Sequence, residues 1–267
     1  MKKNEQDMSF LDHLEILRWH LIRSGIAILI LSILAFIFKE IIFDAILLAP
    51  KDPNFLTYRF LCNISQGLGL GDALCIKESP FSLMNINMAG QFSTHLMTSI
   101  YAGFILAFPY VFWEIWRFIL PALKEKETKV SRGVVFFSSL LFLTGVTFGY
   151  YVIAPLSINF LGSYQVSQTV ANQISLTSFV STVTTISLAN GIIFELPILV
   201  YFLTKIGLLT PEFMRTYRRH AMVITLILSA IITPPDITSQ ILVSFPLIIL
   251  YEISIQISKA IVKKNNL

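Results

Sequence analysis

The 28 residues 134–161, VVFFSSLLFLTGVTFGYYVIAPLSINFL, contain no Asp, Glu, Lys or Arg. A helix needs about 20 mostly apolar residues to cross a bilayer core of about 30 Å. This stretch is long enough, and it lacks the apolar–polar alternation of a membrane β-strand. It therefore predicts a transmembrane helix.

The composition of the whole chain agrees with that prediction. Of the 267 residues, 55% are hydrophobic and 13% are charged, and the mean hydropathy is +0.72. An ordinary soluble domain carries roughly 25% charged residues, because its surface needs polar cover. The composition excludes a soluble globule, and its apolar content excludes a disordered chain.

Five further apolar segments predict additional membrane helices. Their approximate bounds are 21–43, 91–113, 176–203, 221–233 and 237–257. The predicted fold class is therefore all-α: a polytopic membrane protein with six transmembrane helices, of which the fifth and sixth are short. We interpret residues 1–267 as a single integral membrane domain.

The distribution of basic residues predicts the orientation. Segments 1–24, 114–132, 204–220 and the tail carry 16 of the 20 Lys and Arg residues, and the other four lie between Lys39 and Lys77. Loops rich in Lys and Arg stay on the cytoplasmic side. Both termini are therefore expected in the cytoplasm, and the long loop of about residues 44–90 on the outer side.

The predicted fifth and sixth helices are joined by Thr233, Pro234, Pro235 and Asp236. Two prolines end a helix, and an aspartate can cap the next one. Thirteen residues rise only about 20 Å, which is less than the bilayer core. Either the bilayer thins locally, or the hairpin packs against longer neighbours.

The long loop contains Cys62 and Cys75, the only two cysteines of the chain. On an oxidising side of the membrane they can form a disulfide. A loop of that size would gain roughly 3 kcal/mol in the chain-entropy model. Two free thiols remain the alternative.

Motifs for catalysis, metal ions or cofactors are missing from the sequence. The four histidines are scattered, and neither a Gly-Lys-Ser phosphate loop nor a Gly-x-Ser-x-Gly elbow occurs. We predict a protein that is not an enzyme and needs no metal ion or cofactor.

Glu195 stands within the predicted fourth membrane helix, two residues before Pro197. A carboxyl group at that depth is costly and usually faces a partner, a cavity or an ion path. Pro197 frees a backbone carbonyl and kinks the helix. A proton relay, a polar contact for another membrane helix and a neutral acid bonded within its own bundle remain the alternatives.

Two predicted cytoplasmic segments carry acids beside apolar side chains. Residues 10–18 have the pattern of an interfacial amphipathic helix with Asp12 and Glu15 on one face. The first cytoplasmic loop contains Glu125 and Glu127 among lysines. These acids could bind a basic partner, or they could simply be solvated.

Taken together, the motifs resemble the TatC family, the polytopic core of the twin-arginine protein translocase. They occur in the family's order along nearly the whole chain, at residues 9–18, 108–109, 116–123, 127, 194–197 and 233–240. The resemblance implies a six-helix concave receptor in the bacterial cytoplasmic (inner) membrane. It implies no binding of nucleic acid.

The resemblance also implies a function. TatC-like proteins bind the twin-arginine motif in signal peptides of folded precursor proteins. They then recruit single-helix TatA-like and TatB-like partners, and copies of the TatC-like protein associate in a larger complex. The proton motive force drives export.

Site residues follow from the same motifs. The implied signal-peptide site consists of Glu127, Glu15, Phe118 and Arg18. Carboxylates suit two guanidinium groups at a partly dehydrated surface. The implied contacts of the partner helix are Glu195 and Pro197, and the implied outer hairpin contains Pro234, Pro235, Asp236 and Gln240.

One position departs from the family pattern. Ile16 occupies the place where the family commonly has a glutamate, and Glu15 lies one residue earlier, about 100° around a helix. Either Glu15 takes that role or Glu127 carries more of the binding. His20 stands where the family tends to have a basic residue.

Two other functions are compatible with some of these features. A proton-coupled transporter of small solutes could use Glu195 as its relay, but the inverted repeat that such folds often show is missing. A purely structural assembly factor would hold partner helices without recognising cargo.

Overall fold

The computed structural model describes residues 10–72, 75–76, 81–119, 131–167, 169, 172–233 and 237–265. These residues form two compact units. One unit contains the described residues of 1–37 and 99–140, and the other contains those of 38–98 and 141–267. The single-domain interpretation stays a prediction.

Helices make up most of the described chain. They are α1 (Phe10–Ile37), α2 (Leu56–Gly67), α3 (Gly90–Ile119), α4 (Ser131–Phe148), α5 (Ala154–Ser163), α6 (Leu176–Ile193), α7 (Leu196–Lys205), α8 (Pro211–Thr216), α9 (Arg218–Ile232) and α10 (Ile237–Asn265). Two π-helical segments, Ile41–Leu47 and Gly149–Ile153, and a 3₁₀ turn, Ala49–Lys51, connect some of them.

Within the described ranges, five segments are long and apolar enough to cross a membrane. They are Leu14–Ile37, Gly90–Ile119, Gly133–Ser163, Leu176–Lys205 and Ser239–Lys263. The predicted fifth helix corresponds to α9, which has only 15 residues, or about 22 Å. The protein is thus a multi-pass helical membrane protein, and the count of six spans stays a prediction.

Two predicted boundaries need correction. The sixth helix was expected to be short, but α10 has 29 residues because its helix continues through the charged tail. The second predicted span, 91–113, ends too early, because α3 continues to Ile119. This extension brings Glu114 inside a helix.

A row of small residues allows close packing in the first unit. Ser99, Gly103 and Ala107 lie four residues apart on α3 and are all buried. A Cβ atom at Gly103 would lie 2.6 Å from the backbone nitrogen of Ser32 on α1. Small residues let membrane helices approach closely and gain dispersion contacts. The row therefore sets the α1–α3 contact.

Glycines play the same role in the second unit, where α4 packs against α6. A Cβ atom at Gly145 would lie 2.5 Å from the carbonyl oxygen of Asn190, and one at Gly149 would lie 2.9 Å from Cα of Ser187. On α6, Gly191 lies close to the side chains of Val146 and Phe142 of α4. The buried core beside this contact contains Phe179, Val183 and Ile186.

Within the second unit, α2 attaches the long loop to the chain around Tyr151 and Pro155. Pro155 has no N–H group, so the helix around it leaves the Tyr151 carbonyl available, and the hydroxyl of Thr57 donates a hydrogen bond to it. The Tyr58 hydroxyl lies 2.9 Å from the carbonyl oxygen of Pro155 and 3.0 Å from that of Pro50. Burial raises the pKa of Tyr58.

A disulfide joins Cys62 of α2 to Cys75. The sequence left this pairing open against two free thiols, and the structure confirms the pair. The bond holds the chain at Cys75 against α2.

The all-α prediction misses one short parallel strand pair. β1 (Ser82–Met84) pairs with β2 (Gln173–Ser175) in the register Ser82–Gln173, and each strand has three residues. Beside it, Phe81 packs where a Cβ atom at Gly162 would lie 2.3 Å from its ring. Strands this short give no periodic signal in the sequence.

Candidate functional site

The described part of the predicted signal-peptide site lies in the first unit. Glu15 and Arg18 are exposed on α1, one helical turn apart. Phe118 is half-buried near the end of α3. Glu127 lies outside the described residues, as does the rest of the loop 120–130.

Glu114 is the most deeply buried charged side chain near these residues, with 1% of its surface exposed. The Tyr110 hydroxyl donates a hydrogen bond to its Oε1 at 3.0 Å, and His20 Nδ1 donates one to its Oε2. Arg23 and Arg117 lie at the edge, 4.0 and 3.9 Å from the carboxylate oxygens. A buried carboxylate persists when hydrogen bonds and opposite charges replace its water.

The ring of His20 also contacts Phe118, with the centroids 6.2 Å apart in an edge-to-face arrangement. His20 therefore links Glu114 to one of the predicted site residues. Arg117 packs over the ring of Trp113, 4.9 Å from its centroid, which restrains its position near Glu114. We call His20, Tyr110, Glu114 and Phe118 the His20–Glu114 cluster.

Glu114 is not among the residues that the sequence predicts for the site. The predicted second span ends at residue 113, which places Glu114 in a charged loop instead of a membrane helix. An acid within an apolar helix needs a partner, and this holds for Glu114 as it does for Glu195. Its partner His20 was noted only as a departure from the family pattern.

We expect Glu114→Ala to destabilise the protein by about 3 kcal/mol or more, because His20 would lose its buried acceptor beside two arginines. His20→Ala should cost much less in the Glu114→Ala background than in the wild type. Thermal unfolding of all four variants in detergent measures this coupling. Glu114→Gln is the conservative control, since its amide keeps the shape. Purely additive losses would contradict a functioning His20–Glu114 pair.

Glu195 and Pro197 lie in the second unit, where the helix is interrupted between α6 and α7. Pro197 is buried in the first turn of α7, and Glu195 is half-buried just before that turn. The interruption is the one that the proline predicts. No described contact assigns Glu195 a role in binding a partner, so that role stays a prediction.

The hairpin between α9 and α10 is described only in part. Pro234, Pro235 and Asp236 lie outside the described residues. Gln240 donates a hydrogen bond to the Leu226 carbonyl of α9 at 3.2 Å. At the other end of α9, the guanidinium of Arg218 donates two hydrogen bonds to the Glu252 carboxylate of α10.

Across the described ranges, His, Cys, Asp and Glu side chains form no group of three that could hold a metal ion.

Comparison with known proteins gives the same family over most of the chain. The family model for the Sec-independent protein translocase protein TatC matches residues 12–246. The TatC protein of Blattabacterium sp. subsp. Periplaneta americana is 40% identical over 265 residues, which cover 99% of this chain and all of that protein. The Aquifex aeolicus TatC protein is 35% identical over 258 residues, covering 96% of this chain and 97% of that one.

A solved structure supports the fold as well. The crystal structure of a twin-arginine translocase receptor, TatC, matches with a TM-score of 0.71 and 33% identity, covering 94% of this chain and 99% of that one. With the helical spans and the matched sequence, these similarities show that the chain belongs to the TatC family of twin-arginine protein translocase components.

Proposed function

We propose that this chain is the receptor subunit of a twin-arginine translocase and binds the signal peptides of folded precursor proteins. The observation that carries the proposal is the contact between His20 of α1 and Phe118 of α3. It brings together the two segments that the sequence predicts to form one site. The helix α1 also carries Glu15 and Arg18, and α3 leads into the loop that contains Glu127.

The carboxylates expected next to the His20–Glu114 cluster suit a ligand with two guanidinium groups. Exposed Glu15 offers a carboxylate, and we expect Glu127 to offer a second. The single charge on Glu114 offsets one of the two positive charges of the half-exposed Arg23 and Arg117, which reduces their repulsion of a basic peptide. Glu114 itself is too buried to be the main ligand.

Direct binding tests this proposal. The purified chain in lipid nanodiscs should bind a labelled twin-arginine peptide about tenfold more tightly than its twin-lysine counterpart, because lysine cannot bind a carboxylate through a bidentate fork. Raising the ionic strength from low to high salt should weaken binding by a similar factor, since the charges are partly exposed. Equal affinities for both peptides, without salt dependence, would contradict it.

The proposal extends to the assembly of the complex. We infer that single-helix TatA-like and TatB-like proteins join this subunit, with Glu195 and Pro197 as the contact for a partner helix. A half-buried carboxyl at a helix interruption can accept a hydrogen bond from a polar side chain of such a helix. Copies of the subunit are proposed to associate in a larger complex, with the proton motive force driving export.

The proposed location is the bacterial cytoplasmic membrane, with both termini in the cytoplasm. The supporting observation is the placement of Lys and Arg in alternate connections between the spans. A transporter of small solutes could also use Glu195, but the match of the whole chain to protein-translocase relatives favours the receptor.

A further inference from the structure

The helix α2 carries an apolar stripe that does not face the core. Leu56, Phe60 and Ile64 recur every four residues and are 67%, 63% and 37% exposed. Its other face is buried at Thr57, Tyr58 and Ser65. The stripe thus points away from the unit on which α2 is anchored. Exposed Leu68 follows it at the end of the helix.

The anchor of α2 lies on the second half of a membrane span, which runs from Gly133 to Ser163. Thr57 binds the carbonyl of Tyr151, which stands 18 residues beyond Gly133, the first residue of its span. That separation corresponds to about 27 Å of helix, close to the roughly 30 Å of a bilayer core.

Aromatic side chains mark the same level. The ring of Phe55 stacks on Tyr151 at 5.6 Å and meets Tyr150 edge-on at 5.7 Å. Tyr58, whose hydroxyl reaches the Pro155 carbonyl, completes the group. Phe55 and Tyr58 are buried in the protein, whereas Tyr151 is exposed, and exposed tyrosines concentrate at membrane–water interfaces.

Polar groups border the stripe. Asn54, Arg59 and Asn63 line an open groove of about 420 Å³ together with Leu56 and Phe60. A guanidinium and two amides next to apolar side chains match the boundary between lipid phosphates and acyl chains.

The attachment of α2 keeps the stripe facing outward. Hydrogen bonds from Thr57 and Tyr58 fix its first turn, and the Cys62–Cys75 disulfide restrains its second half. Rotation of the helix to bury Phe60 would break these contacts. The stripe is therefore preorganised for an apolar surface.

We propose that α2 is an interfacial helix that inserts Leu56, Phe60 and Ile64 into the leaflet on the long loop's side, with Arg59 bound to a lipid phosphate. Amphipathic helices bury their apolar face in this way 5–10 Å below the headgroups. The insertion of α2 does not require that the chain binds signal peptides, because it depends only on the spans and on the attachment of α2.

Photocrosslinking to lipid tests the proposal. A benzophenone amino acid replaces Phe60 or, as the control on another face of α2, exposed Gln66, and the full chain is reconstituted in phosphatidylethanolamine–phosphatidylglycerol liposomes. We expect about fivefold more lipid adduct from position 60 than from position 66. Thiol alkylation before reduction confirms that the Cys62–Cys75 bond is intact in each variant.

Two outcomes would overturn the proposal. One is equal lipid labelling at positions 60 and 66 with the disulfide intact. The other is crosslinking of position 60 mainly to a second copy of the chain, which would make the stripe a protein interface. A companion variant, Arg59→Glu, should reduce the lipid adduct at position 60 by about half because it repels phosphate, whereas Arg59→Lys should not.

Discussion

Glu127→Ala is expected to reduce export of twin-arginine precursors at least a hundredfold while leaving the protein inserted in the membrane. The signal peptide would lose the loop carboxylate that pairs with a guanidinium, and the loss of such a partly desolvated charge pair costs about 2–5 kcal/mol. Export is measured as the mature cargo released outside the cytoplasm, and insertion as the amount of chain in washed membranes.

Glu125→Ala is the matched control for that variant. It removes the same charge from the same loop, two residues away, and should leave export close to wild type. Glu127→Asp should retain part of the activity, because the carboxylate remains. Wild-type export by Glu127→Ala would contradict the assignment of Glu127 to the signal-peptide site.

Gly145→Leu is expected to reduce the folded protein at least tenfold, judged by a monodisperse peak after extraction in mild detergent. Even the first added carbon would lie 2.5 Å from the Asn190 carbonyl oxygen and 2.8 Å from Cβ of Phe194. Backbone atoms cannot yield as a flexible side chain would, so α4 and α6 must separate. Overpacking in a rigid core costs about 1–3 kcal/mol or more.

The matched control lies in the same helix. Gly133 begins the span, and nothing lies within 4 Å of a Cβ atom added there. Gly133→Leu should therefore leave the yield near wild type and should add helix propensity. A similar yield from both variants would mean that the α4–α6 contact is not as close as described.

The membrane spans could be predicted from sequence because a bilayer imposes one strong requirement on length and polarity. Helix boundaries were less predictable. The apolar stretch of the sequence ends before the helix ends, so α3 and α10 continue past their predicted ends into charged segments. The short pair of β1 and β2 depends on contacts between distant segments, and no local pattern indicates it.

The candidate site was predictable only in part. Glu15, Arg18 and Phe118 came from family motifs, and they lie on the two helices joined by the His20–Phe118 contact. Glu114 could not be distinguished from a solvated loop acid until its burial and its bond to His20 were known. The sequence predicted the disulfide as one of two alternatives. The attachment of α2 beside it was not predicted and is known only from the structure.

The most direct test of the receptor account is photocrosslinking from position 118 to a twin-arginine signal peptide. A benzophenone amino acid replaces Phe118 near the end of α3, and the control replaces exposed Phe92 near the start of the same helix. The receptor account predicts adducts from position 118 with the twin-arginine precursor, their loss with a twin-lysine precursor, and none from position 92. Equal labelling by both precursors, or no labelling from position 118 in membranes with intact protein, would contradict it.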